Sequence, residues 1–191
     1  MYPKIVGFSG KAGSGKDTAG KYLVDRYGWL HYFFAKPLKE GCNIMFNLSE
    51  EEIKNKEKKI DRWDKSPRQL YQLLGTDVAR AIDNKVWIKG AQNFIDNNPD
   101  SSIVITDVRF PNEADWIRDN NGIVIFLERE IADIEHCYHS SENSLSGEDV
   151  DFYIENDRTI DALHLQIYNC LEEYNIKTEQ EELAESYEYR L

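Results

Sequence analysis

The sequence predicts an α/β fold, a parallel sheet flanked by helices, and three observations carry that expectation. An apolar run, Ile5-Val6-Gly7-Phe8, passes through a glycine-rich turn at residues 10–18 into a helical pattern with Ala19, Tyr22, Leu23 and Tyr27 on one face. Two later runs, Ser102-Ile103-Val104-Ile105-Thr106 and Ile123–Leu127, are almost continuously apolar, the pattern of strands covered on both faces. Helical periodicities separate these runs, and strands alternating with helices give a parallel sheet with right-handed crossovers. At 191 residues the chain is long enough for one domain with a full core.

The first unit is a strand at Lys4–Phe8, the turn, and a helix to about Tyr27 that Gly28 closes. In the turn, Gly10, Gly13 and Gly15 can take backbone angles closed to other residues, so successive N–H groups turn inward as a nest for anionic oxygens. The helix starting near Lys16 adds the positive end of its dipole. Strand, glycine-rich turn, lysine and helix together are the context of a phosphate-binding P-loop. Gly10, Gly13, Ser14, Gly15, Lys16, Asp17 and Thr18 are therefore the expected nucleotide site, with Lys16 reaching the β- and γ-phosphates. Asp17 stands where Ser or Thr is usual. It would offer Mg²⁺ a hard anionic oxygen, or else cap the helix that begins there.

Trp29–Phe34 reads as a second strand, and Pro37 fits the first turn of a helix reaching about Phe46. Ser49 with Glu52, and Ser66 with Gln69, are capping boxes that each open a helix, the second with Pro67 at its first position. Between them, residues 54–65 carry six Lys or Arg against three acids in a chain of net charge −12. A solvated loop is the expectation there, and a hold on a phosphorylated substrate is the alternative. Leu70, Leu73 and Leu74 form an apolar stripe that Val78, Ala81 and Ile82 resume, so the helix is expected to break at Gly75-Thr76. Lys85–Asn97 is a further helix.

Ser102–Asp107 is a buried strand with a carboxylate at its C-terminal end, where such sheets bind ligands. Pro111 starts a helix that Gly122 is expected to end. After the strand at 123–127, residues 128–150 lose periodicity and hold Arg129, His136, His139 and Glu142. Phe152–Glu155 is a last short strand, Asn156-Asp157 a turn, and Ile160, Leu163, Ile167 and Leu171 mark the final helix. Residues 172–191 carry seven Glu against Lys177 and Arg190 and are expected to form a loosely held acidic tail.

The acidic balance argues against a nucleic-acid partner, which needs a basic face. Three scattered cysteines have no metal-type spacing and fit a reducing compartment; His136 and His139 lack the further ligands of a metal site. With no leader-like segment and no run of membrane-spanning length, a cytoplasmic protein is expected. A homodimer is compatible with the sequence.

A P-loop implies a nucleoside triphosphate without naming the reaction. The guanine-reading Asn-Lys-x-Asp of GTPase switches is missing, since Asn84-Lys85-Val86-Trp87 lacks the aspartate. A small chain with a long helical insertion and scattered arginines suits phosphoryl transfer to a small acceptor, which works by positioning and charge neutralisation. A regulatory nucleotide-binding protein and a kinase for a non-nucleotide phosphate remain open.

Several stretches stand in one family order: Gly-Lys-Asp-Thr at 15–18, Phe-Ala-Lys-Pro-Leu-Lys at 34–39, Pro-Arg-Gln-Leu-Tyr-Gln-Leu-Leu-Gly-Thr-Asp at 67–77 and Asp-Val-Arg-Phe-Pro-Asn-Glu at 107–113. His139-Ser140-Ser141-Glu142 and Ile154-Glu155-Asn156-Asp157 complete the series. Through them the sequence resembles the bacteriophage-type deoxynucleoside monophosphate kinases from Lys4 to about Leu171. The resemblance implies a core (1–34 and 98–171), a helical acceptor-binding insertion (about 35–97) and a lid (about 128–150). It also implies ATP, Mg²⁺ and a deoxynucleoside monophosphate acceptor. Residue by residue, it puts Arg68, Thr76 and Arg80 at the acceptor, with Lys36 and Lys39 as further candidates, and Asp107 at Mg²⁺ or at the attacking oxygen. Arg109 would grip the acceptor phosphate and Arg129 would begin the lid over the phosphoryl group. Asn156 would face the adenine edge. A helix cap for Asp107, a surface ion pair for Arg109 and an Asx turn for Asn156 are the alternatives; His139 and Glu142 have no assigned role.

Overall fold

A computed structural model of the chain describes residues 2–130, 145 and 149–188. Five strands, β1 (Ile5–Ser9), β2 (Leu30–Tyr32), β3 (Ile103–Ile105), β4 (Gly122–Glu128) and β5 (Phe152–Glu155), form one sheet in the order β2-β3-β1-β4-β5. Every pairing is parallel; Ile5 sits opposite Ile103 on one side and Gly122 on the other. The strand that leads into the glycine-rich turn is thus the middle of the sheet, and the turn emerges at its carboxyl edge.

The two-residue period of a strand sorts the apolar runs onto both faces. Val6, Phe8, Val104, Ile123, Ile125 and Leu127 face α1 (Lys16–Tyr27) and the last helix, where Leu23, Leu163 and Ile167 meet them. Ile5, Ile103, Ile105 and Val124 face the opposite layer, which supplies Ile88, Ala91, Ala114 and Ile117. Helix α1 ends as expected at Gly28, in the left-handed region with φ 71°. Between β2 and β3 run α2 (Lys36–Met45), α3 (Glu50–Lys54), α4 (Pro67–Gln72), a π-helical segment (Leu73–Ala79), α5 (Arg80–Ile82) and α6 (Val86–Asp96). Both expected capping boxes are formed, Ser49 with Glu52 and Ser66 with Gln69. Then α7 (Pro111–Asp119) links β3 to β4, and α8 (Ile160–Glu188) closes the described chain.

Three local expectations change. The stripe does not break at Gly75: the chain stays helical from Pro67 through Ile82, widening into the π turn. Leu38 of α2 packs directly onto Gly75, where a Cβ would run into its Cδ2, so the glycine admits a neighbouring side chain rather than ending a helix. Gly122 does not end α7 either. Asn121 makes the reversal with φ 56°, a conformation Asn tolerates, while Gly122 is already in β4, where a Cβ would stand 2.7 Å from the carbonyl oxygens of Ile5 and Ile117. Finally, α8 continues past Leu171 to Glu188 instead of giving way to a loose tail. The later residues are rich in good helix formers, and an i,i+4 pair, Glu173 with Lys177 at 2.7 Å, supports the added turns.

Candidate active site

The turn after β1 is built from backbone. Gly10, Gly13 and Gly15 have φ of 131°, 80° and 103°. At Gly10 a side chain is excluded twice, by that angle and by the Leu127 carbonyl oxygen lying where a Cβ would go. The Lys16 ammonium folds back over the loop and donates to the carbonyl oxygens of Gly10 and Lys11, each at 2.7 Å. From below, buried Asn156 donates through Nδ2 to the Ser14 carbonyl oxygen at 2.8 Å, and its own N–H reaches Glu128 O at 2.7 Å. Asn156 thus braces the loop.

Helix α1 begins with Gly15 as its cap residue and no side-chain cap. Asp17, the second helical residue, is thus not the cap, because the turn requires a left-handed glycine at that position. It lines a cavity of about 360 Å³ with Gly10, Gly13, Lys16, Thr106 and Asp107. Thr18, on the same turn of helix, is exposed and lies outside that wall.

Across the cavity, Asp107 follows β3. Its two carboxylate oxygens accept from the N–H groups of Phe34 and Ala35, both at 2.9 Å, so it ties the end of β3 to the entry of α2. It does not cap its own helix, α7, whose cap residue is Phe110. Beside it the Thr106 hydroxyl pairs with His31 Nε2 at 2.9 Å. Among the described residues no group of three or more His, Cys, Asp or Glu forms. Two carboxylates on one cavity wall suit Mg²⁺, which binds through one or two carboxylates and takes its other oxygens from phosphates and water.

A second cavity, of about 150 Å³, lies in the helical insertion between Leu38, Tyr71, Gln72, Thr76, Trp87 and Phe110. Its inner end is closed by a buried ion pair. Glu113, 2% exposed, accepts from Arg80 and from the N–H groups of Arg109 (2.8 Å) and Phe110 (3.1 Å). The Arg80 guanidinium lies 3.6 Å from the Phe110 ring centroid. Burial pushes the Glu113 carboxyl up to about 7, against the lowering pull of Arg80 and the two N–H donors. The π turn explains how Arg80 arrives there. Positions 68, 71, 72, 75 and 76 keep a three-and-four spacing along the cavity wall, and the wider turn brings up Arg80 where a regular helix would present Ala79.

The two cavities meet. Lys39, Lys56, Arg68, Asp107 and Arg109 line both. Arg68 also contacts Glu57 at 2.6 Å. The structure thus brings together the P-loop, Asp17, Arg68, Thr76, Arg80, Asp107 and Arg109. It leaves Lys36 and Arg129 exposed and off both walls. His136, His139 and Glu142 lie outside the described residues, as does most of the span expected to form a lid; Leu145 is buried and lines the P-loop cavity. Sequence reasoning singled out neither Lys56 nor Glu113. The charge reversal at 54–65 was a signal for the first, and the position of Glu113 three residues into a Pro-started helix, half of a capping box, was a signal for the second.

Residues 43–167 match the family model described as deoxynucleotide monophosphate kinase. An Acanthamoeba polyphaga mimivirus protein named as a deoxynucleotide monophosphate kinase is 34% identical over 188 residues, covering 88% of this chain and 96% of its own. The deoxynucleoside-5′-monophosphate kinase of Escherichia phage T5 is 25% identical over 239 residues, covering 86% of this chain and 94% of its own. Among solved structures, TT1252 from Thermus thermophilus superposes with a TM-score of 0.53 at 16% identity over 91% of this chain and 98% of its own, a likeness of fold. The chain belongs to the deoxynucleotide monophosphate kinase family.

Proposed function

We propose that this kinase transfers the γ-phosphoryl group of ATP to a deoxynucleoside monophosphate, giving ADP and the deoxynucleoside diphosphate. The observation that carries the reading is the junction: a P-loop cavity and an aromatic-walled cavity share four cations and one carboxylate. Two anionic substrates meeting end to end need that excess of positive charge, and phosphoryl transfer asks a protein chiefly for position and neutralisation.

In this reading the N–H groups of residues 10–16 cradle the donor phosphates, and the Lys16 ammonium moves from the Gly10 and Lys11 carbonyls onto the β- and γ-phosphates. Asp17 and Asp107 hold Mg²⁺, which when bound neutralises charge on the transferring group. Arg109, Arg68, Lys39 and Lys56 grip the acceptor phosphate so that one of its oxygens attacks the γ-phosphorus in line with the departing ADP. Arg80 acts through the wall it builds with Glu113, and Thr76 faces the acceptor. The chain divides into a core, an acceptor-binding insertion and a lid beginning near Arg129. Among the described residues no helix is long and apolar enough to cross a membrane, and we place the reaction in the cytoplasm.

A coupled assay of ADP release over a panel of deoxy- and ribonucleoside monophosphates tests this. Release should depend on an added deoxynucleoside monophosphate. Slow hydrolysis indifferent to any acceptor would instead describe a regulatory nucleotide-binding protein.

A further inference from the structure

The wall of the insertion cavity divides between rings and polar groups. Tyr71, Trp87 and Phe110 line it, and ring faces stack on any nucleobase without telling one from another. Discrimination requires hydrogen-bonding groups with capacity to spare. Most polar groups on this wall are committed. The Trp87 indole N–H donates to Gly75 O at 3.2 Å, and the Tyr71 hydroxyl donates to Asn43 Oδ1 at 2.7 Å. Arg80 and Glu113 bond to each other, and Asp107 accepts from Phe34 and Ala35. Lys39, Lys56, Arg68 and Arg109 stand at the junction with the P-loop cavity. Among the described residues of this wall, two uncharged polar side chains remain outside any hydrogen bond within the chain: the Gln72 carboxamide and the Thr76 hydroxyl.

Both project from a fixed backbone. Between them sits Gly75, with Leu38 packed on its Cα and its carbonyl held by Trp87. A polar group carried on a backbone braced from two sides can select by geometry as well as by chemistry. With the acceptor phosphate at the shared cations, its base points away from them, toward the rings and these two side chains.

We propose that the Gln72 carboxamide reads the hydrogen-bonding edge of the acceptor's base, with the Thr76 hydroxyl beside it, and so sets which bases the enzyme prefers. This rests on the kinase reading above. A carboxamide offers an acceptor and a donor side by side. Replacing it with glutamate keeps the shape and, in the ionised form, leaves acceptors alone. At the 4-position cytosine presents an amine donor where thymine presents a carbonyl acceptor, so a carboxylate facing that position favours one and repels the other.

The test compares dCMP and dTMP in the ADP-release assay with the parent, Gln72→Glu and Gln72→Met. Gln72→Glu should raise the dCMP-to-dTMP ratio of kcat/KM by about tenfold or more. Gln72→Met, similar in length and unable to hydrogen-bond in this way, should raise KM for both acceptors while the KM for ATP stays put; it decides the matter if the glutamate variant fails to fold. A glutamate ratio within about twofold of the parent's, together with unchanged acceptor KM values in Gln72→Met, overturns the assignment. If the parent takes only purines, dAMP and dGMP, which differ by the same exchange of amine for carbonyl, replace the pair; a parent that releases no ADP with any deoxynucleoside monophosphate overturns the kinase reading, and this proposal with it.

Discussion

The two cavities are built by opposite means. The P-loop side of its cavity is largely backbone: a short glycine-rich turn, three of its residues at positive φ, with the Lys16 ammonium folded over it. The insertion cavity is side chain, assembled from α2, α4, the π segment, α5, α6 and the 107–113 stretch. A phosphate is the same in every nucleotide, so a fixed ring of N–H groups serves it, and glycine is the residue that allows the ring. A base and sugar vary, so a pocket for them, the role proposed for the insertion cavity, needs groups that substitution can tune one at a time. The phosphate site should therefore be brittle and the acceptor site adjustable.

The sharpest way to break that contrast is at Lys16. Lys16→Ala should cost turnover on the order of a hundred- to a thousandfold while circular dichroism and the melting curve stay near the parent's. Unchanged turnover would remove the P-loop from the reaction. Next come two glycines that differ in what a methyl group would meet. At Gly10 it meets the Leu127 carbonyl in a left-handed backbone, so Gly10→Ala should cost about 3 kcal/mol in urea unfolding. At Gly75 it meets the end of a Leu38 side chain, and a helical alanine recovers part of the loss. Gly75→Ala should change stability by no more than about 1 kcal/mol while raising the acceptor KM severalfold. Equal losses of stability at both would erase the distinction.

A smaller effect is expected at Arg109, between the two cavities. Lysine keeps the charge and loses the paired geometry of the guanidinium, so Arg109→Lys should raise the acceptor KM about tenfold and leave that of ATP alone. A change confined to ATP would move Arg109 to the donor side. The smallest is a matter of pH. Glu113, raised from an ordinary 4.5 to about 7, keeps its proton in the folded chain where the unfolded chain has lost it. Its contribution to stability is complete below about 4.5 and is lost as pH rises through about 7. Glu113→Gln should flatten that part of the melting-temperature profile, and a slope identical to the parent's would rule this contribution out.

The same contrast decides what could be read in the sequence. The P-loop was legible because everything it needs is local in spacing: glycines, a lysine, a strand before and a helix after. The buried strands were legible because continuous apolar runs leave few other structures. The acceptor side came through far less from the residues themselves, since six cations between 54 and 65 are alike in sequence and only the packed insertion turns Lys56 toward the junction. Glu113 reads as an ordinary residue near a helix start, and its burial against Arg80 depends on a π turn that no spacing rule announces. The bond from Asn156 to the Ser14 carbonyl could not be read at all, because the two residues stand 142 apart in sequence.

That last separation bears on how the protein is made. Synthesis runs from the amino end, so β1 and its loop emerge first, yet β1 has no partner until β3 and β4 follow, and Asn156 comes later still. A growing chain on the ribosome therefore carries its phosphate loop unsupported through most of its translation. Contacts this distant in sequence form slowly and leave apolar strands uncovered meanwhile. The segment that folding theory would expect to wait longest is the one a reader of the sequence recognises first.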